Sequence, residues 1–159
     1  MDDGSAIILV KSIYYPQGLA VEKSKIIEFV KPILGFNAFK KFCILNIDKE
    51  KNVPFFILQS IENEDLCFII TDPNLFFKDY SVQVTDEEKN LLSLDNKADA
   101  IIFVIATLSS SDFSSSTVNL KGPIVINIKN NRALQTVLNN DIYSVRQKLS
   151  IIKGETASG

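Results

Sequence analysis

Carboxylates supply the first candidate chemistry in this chain. Glu62 with Asp65, and Asp72 with Asp79, lie close enough in sequence to act in pairs, and two carboxyl groups in different environments can divide the roles of general acid and base. Such pairs arise readily by chance among 19 acids, and no other residue type backs them. Histidine is absent from the 159 residues. That removes the usual base near neutral pH, the usual triad base and the commonest metal ligand. Cys43 and Cys67 sit inside apolar runs; two thiols make neither a disulfide framework nor a zinc set, and they read as buried free thiols in a reducing compartment. No glycine-rich loop opens a helix, so a phosphate cradle is missing too. The chain is expected to have no catalytic, cofactor-binding or metal-ligating residues.

Charge and aromatics placed in loops point instead to protein contacts. The formal net charge is −2, yet residues 62–99 hold ten acids against three bases and carry −7. An acidic surface repels phosphate and attracts basic protein faces, whereas direct nucleic-acid binding needs a basic stripe. Glu62, Glu64 and Asp65 fall in one turn, where they form either a repelling electrostatic edge or a plain solvated hairpin tip. Phe76-Phe77-Lys78-Asp79-Tyr80 follows a proline turn at Asp72-Pro73. Neighbouring aromatics in a loop either anchor a partner or close the end of a barrel. Phe113 lies within a serine-rich loop, Ser109–Thr117, as a hydrophobic contact or a pin for the loop. The candidate partner-binding residues are therefore Phe76, Phe77, Asp79, Tyr80 and Phe113. Asn119, Asn127 and Gln135 read as buried amides that satisfy backbone groups where strands bend or end.

The elements that must position these residues are short and β-like. Runs of β-branched and aromatic residues bounded by turn residues predict strands at Ile7–Val10, Lys25–Phe29, Phe42–Ile47, Phe55–Ile61, Cys67–Thr71, Ser81–Val84, Ile101–Leu108, Ile124–Lys129 and Leu134–Leu138. Ile101–Leu108 is apolar on both faces, as in a strand buried on both sides. Asn130-Asn131 reads as a hairpin turn, because asparagine tolerates positive φ. Thr85 and Glu88 form a capping box, with Asp86 and Glu87 in the favoured first turn, so a two-turn helix starts there. A second short helix is expected near Tyr143–Leu149. With 46% hydrophobic and 23% charged residues, one globular domain over 1–153 follows, with a flexible tail at 154–159. The fold class is mainly β: an antiparallel sheet curled into a small barrel-like fold with one or two short helices.

The start Met1-Asp2-Asp3 lacks the basic and apolar stretches of a signal peptide. No apolar run approaches the ~18 residues of a membrane span. A cytoplasmic protein with no membrane partner is expected.

Four segments in order resemble a known family. They are Gly35-Phe36 with Phe39 and Phe42; Leu58-Gln59-Ser60 with Phe68; Asp72-Pro73 with Phe76-Phe77-Lys78-Asp79-Tyr80; and Asn119-Leu120 through Pro123-Ile124 and Asn127, then Gln135 and Leu138. Together they cover about residues 25–149 and are similar to the flagellar assembly factor (FliW) family. Pro32 stands where that family usually has glycine, and Lys121-Gly122 replaces a small or apolar pair. The resemblance implies a non-catalytic binding protein with a β-barrel-like fold; a monomer is expected when the protein is free. It implies binding to the RNA-binding regulator CsrA, which relieves CsrA's repression of flagellin translation, and binding to flagellin as a competing partner. The rival reading is a small-molecule-binding β-barrel, which would need a sizeable internal cavity.

Overall fold

The computed structural model describes residues 6–47, 53–109 and 115–149. Among these residues, eleven strands and one α-helix follow in chain order: β1 Ile7–Ser12, β2 Tyr15–Glu22, β3 Ile27–Lys31, β4 Lys41–Asn46, β5 Phe55–Ser60, β6 Cys67–Thr71, α1 Asp86–Leu92, β7 Ala100–Thr107, β8 Thr117–Val118, β9 Ile124–Asn127, β10 Arg132–Gln135 and β11 Gln147–Lys148. Strands β3, β4, β5, β6, β7, β9 and β10 close into a seven-stranded barrel through the β7–β9 and β3–β10 pairings. A closed ring of antiparallel strands must have an even number of members, so seven strands require at least one parallel seam. That seam is β3–β10, and it carries a register shift between Ala133 and Leu134. The expected antiparallel barrel is present with this one parallel joint.

Both faces of the barrel wall are covered, which is why its strands read as unbroken apolar runs. The interior holds Ile27, Phe29, Phe42, Leu58, Ile70, Ile124, Ile126 and Ala133, all buried. Phe29 meets Phe42 edge-on at 5.2 Å, and Phe36 meets Phe68 at 5.1 Å. Outside, the β1–β2 ribbon packs Val10 and Val21 against Cys43, Leu45 and Ile57. Tyr80, Leu138 and Leu149 cover Val104 and Ala106 of β7, and Leu92 and Leu94 of α1 and its exit cover Val125 and Leu134.

The two barrel ends differ. At the end where β5 finishes and β6 starts, Ile33, Phe36 and Phe39 of the β3–β4 connection fold onto the interior cluster. At the opposite end, Ile27, Ile44, Ile101, Ile126 and Ile128 line an open cleft of about 740 Å³.

Several sequence expectations shift. Tyr15–Glu22 is a strand although Pro16 and Gly18 interrupt its pattern; it pairs only with β1 among the described residues, and such a ribbon edge tolerates proline. Gly18 has φ +96°, and an added Cβ would lie 2.7 Å from a Leu9 methyl. Residues 81–84 make no strand: Val82 and Val84 are drawn onto the cluster beneath α1 instead of a ladder. The helix expected at Tyr143–Leu149 is a turn followed by β11, since Leu149 anchors to β7 while Gln147 and Lys148 pair with β8. The last barrel strand is Arg132–Gln135, not Leu134–Leu138. The Asn130-Asn131 hairpin is present, with Asn131 at φ 58°. The capping box is present as read, Thr85 Oγ1 accepting from Glu88 N and Glu88 Oε1 accepting from Thr85 N. The expected tail 154–159 lies outside the described residues.

Candidate partner-binding surface

The acidic turn between β5 and β6 is built from inside. Gln59 is fully buried, and its Nε2 faces the carbonyls of Ser60, Asn63, Glu64 and Leu66 at 3.1–3.3 Å. Ser60 Oγ accepts from the amides of Glu62 and Asn63, and Asn63 Oδ1 accepts from Asp65 N. The turn is thus fixed by side-chain-to-backbone bonds rather than left as a loose tip. Glu62, Glu64 and Asp65 are all exposed on it. Glu62 has a second task, because its Oε1 accepts from the amides of Lys40 and Lys41 at 2.8 and 3.2 Å. It ties the turn to the start of β4, leaving Glu64 and Asp65 as the carboxylates without such a tie.

The aromatic segment lies elsewhere. It follows the far end of β6, so the five-residue strand separates it from the acidic turn by roughly 17 Å at ~3.3 Å per residue. A 3-10 turn at Pro73–Leu75 begins it, with Asp72 Oδ1 capping Asn74 N. Phe76 stacks on Phe55 at 6.0 Å, and both Phe76 and Phe77 pack half-buried on the outer cluster. Tyr80 is buried; its hydroxyl donates to Leu120 O at 2.6 Å and its ring meets Tyr143 at 4.7 Å. Burial, with Tyr143 adding to it, pushes the Tyr80 phenol above its usual range. Lys78 and Asp79 are exposed, as is Leu75 beside them. Phe113 lies outside the described residues.

The three family-matching amides act on backbone. Asn119 Oδ1 accepts from Lys121 N and Gly122 N. Asn127 Nδ2 donates to Leu92 O and Ser93 O, closing the end of α1. Gln135 bridges Leu34 N and Gly122 O; a Cβ at Gly122 would lie 2.9 Å from its Nε2. Both thiols are held protonated: burial raises Cys67 and pushes Cys43 up to about 11. Among the described residues no cluster of acids and thiols forms a metal set.

Similarity to known proteins agrees with this frame. The profile described as FliW protein matches residues 15–149. The flagellar assembly factor FliW of Natranaerobius thermophilus is 35% identical over 141 residues, covering 89% of this chain and 92% of the relative. That of Clostridium botulinum strain Langeland is 39% identical over 135 residues, covering 85% and 92%. A crystal structure of the flagellar assembly factor FliW superposes with a TM-score of 0.81 at 28% identity, over 89% of this chain and 96% of the other. The chain belongs to the FliW family. Its role is accordingly in flagellar assembly, and no helix among the described residues is long and apolar enough to cross a membrane.

The cleft at the open end of this FliW-family barrel was not foreseen from sequence. Its wall residues are far apart in the chain, and only barrel closure assembles them. Strand β2, hidden by its proline and glycine, forms the other wall.

Proposed function

We propose that the protein is a non-catalytic flagellar assembly factor of the cytoplasm, monomeric when free. It binds CsrA, antagonises CsrA's repression of flagellin translation, and binds flagellin as a competing partner. Family membership supplies the flagellar frame. The observation that carries the regulator-binding half is the rigid, exposed acidic turn: Glu64 and Asp65 project from a loop that Gln59 and Ser60 lock in place. A fixed negative edge beside a basic RNA-binding surface raises the electrostatic cost of bringing phosphates in, without covering the RNA groove. The small-molecule reading is the weaker one, because packed side chains occupy the barrel interior.

Calorimetric titration with the same organism's CsrA, and separately with its flagellin, tests the proposal. Saturable binding to each, with flagellin displacing CsrA, is the expected result. Charge reversal at Glu64 and Asp65 should cut CsrA antagonism at least several-fold while leaving the fold intact; Glu62 is left out because it also holds β4. Silence from both partners with a folded protein would leave the family standing and end this reading.

A further inference from the structure

The β1–β2 ribbon leaves one of its two edges facing the cleft. Lys23 N donates to Ala6 O at 2.8 Å, so that pair is a hydrogen-bonded one. The register continues as Ile7↔Glu22, Ile8↔Val21 and Leu9↔Ala20. Hydrogen-bonded and non-hydrogen-bonded pairs alternate along an antiparallel ladder. Ala20 and Glu22 therefore point both N–H and C=O away from β1. Leu19 through Glu22 line the cleft, and no residue of β1 does, which places those four backbone groups on its wall. Across the cleft stand Ile44, Ile101, Ile126 and Ile128 from the barrel mouth. Ile101 and Ile128 are 37% and 51% exposed, unusual for isoleucines gathered in one hollow.

We propose that this cleft takes up an extended segment of a partner polypeptide by strand addition. The segment's backbone would pair with Ala20 and Glu22, and its alternate side chains, apolar ones, would enter the barrel mouth. A row of N–H and C=O groups unpaired among the described residues, beside an apolar wall, selects a strand over a helix, whose backbone groups are already satisfied. A second copy of this chain is a poor occupant. The free edge of its own β2 faces its own barrel mouth, so edge-to-edge pairing would drive the two barrels into each other. The rim carries one anion and one cation, Glu22 and Lys25, so binding here should depend little on salt, unlike binding at the acidic turn. The inference stands apart from the identity of the regulator or flagellin, and either can hold without the other.

The probe is a fluorescent synthetic peptide, acetyl-Val-Thr-Val-Thr-Val-Thr-amide, titrated into isotopically labelled full-length protein. Expected is saturable binding with shifts and slowed hydrogen exchange at the amides of Ala20 and Glu22. N-methylation of the peptide at one alternate set of residues should abolish binding, and at the other set should leave it. Ala20→Pro removes an outward N–H without touching the β1 ladder and should weaken binding at least tenfold; Ile128→Lys, at an exposed site, should do the same through the apolar wall. No binding at millimolar peptide, or equal binding of both N-methylated peptides, overturns the proposal. So does a parent dimer that Ala20→Pro converts to monomer, which would assign the edge to self-association.

Discussion

Replacing Gln59 by leucine is the sharpest test of how the acidic turn is held. The amide nitrogen faces four carbonyl oxygens at 3.1–3.3 Å but has only two hydrogens to share among them. Leucine keeps much of the volume and removes the donor. Two net hydrogen bonds are lost at about 1 kcal/mol each, and carbonyls turned inward without a donor cost roughly 1–3 kcal/mol more. One term opposes this. Gln59 Oε1 is itself buried without a partner among the described residues, so removing it returns about 1 kcal/mol. The balance is a destabilisation of about 2–4 kcal/mol, read as a lower urea midpoint at unchanged slope. Gln59→Glu separates the electrostatic part. Its carboxylate would face the same four carbonyl oxygens, so its folded pKa must lie above the unfolded value near ~4.3. The variant should then approach the leucine variant or better in acid, where the protonated group regains a donor, and lose stability as pH rises from the unfolded pKa up through the raised folded one. A leucine variant within about 0.5 kcal/mol of the parent, or a glutamate variant with no pH dependence relative to parent, would refute the assignment of Gln59 as the clamp of this turn.

Two further predictions follow from buried ionisable groups. Burial pushes the Glu88 carboxyl up, but the Thr85 amide, the Thr136 and Thr85 hydroxyls and the Lys31 ammonium at 3.5 Å outweigh it, so its pKa falls below the ordinary value. Its stabilisation is complete above the unfolded pKa and is lost as pH falls through the lower folded one; the difference in urea midpoint between parent and Glu88→Gln should therefore shrink in acid and hold steady from neutral pH upward. Cys43, fully buried with its pKa pushed up to about 11, should resist iodoacetamide in the folded protein and react at once in urea, as mass spectrometry of the two states would show.

How far the fold was legible depends on where its signals are local. The capping box at Thr85 and Glu88, the Asn130-Asn131 hairpin and the double-sided apolar strand at β7 are set by residues within a few positions of each other, and all three are present. The parallel β3–β10 seam joins residues about a hundred apart, and no local pattern encodes it. Ser81–Val84 has a strand's composition but finds no ladder, because its valines serve the cluster under α1. Leu149 ends the chain's described part in a core position, and that anchor draws Gln147 and Lys148 into pairing where a helix was expected.

The site was legible in a narrower way. The acidic turn could be read as exposed carboxylates, and they are exposed; that Glu62 also fastens β4 could not, since Lys40 and Lys41 offer only backbone amides there. The cleft edge carries no side-chain signal at all, being four backbone groups of Ala20 and Glu22. A pattern then emerges among the residues that carried the family resemblance. Gln59, Asn119, Asn127 and Gln135 each spend their amide on backbone at a turn or strand end, and Tyr80 spends its hydroxyl on Leu120. These residues hold the frame, so the resemblance they carry speaks to the fold and not to the partner. The groups the frame leaves outward are those proposed to meet partners: Glu64 and Asp65 at one barrel end, Ile101, Ile128 and the edge of β2 at the other. Two surfaces of opposite chemistry on opposite ends of one barrel can hold two different ligands, and substitutions at one end should leave binding at the other unchanged.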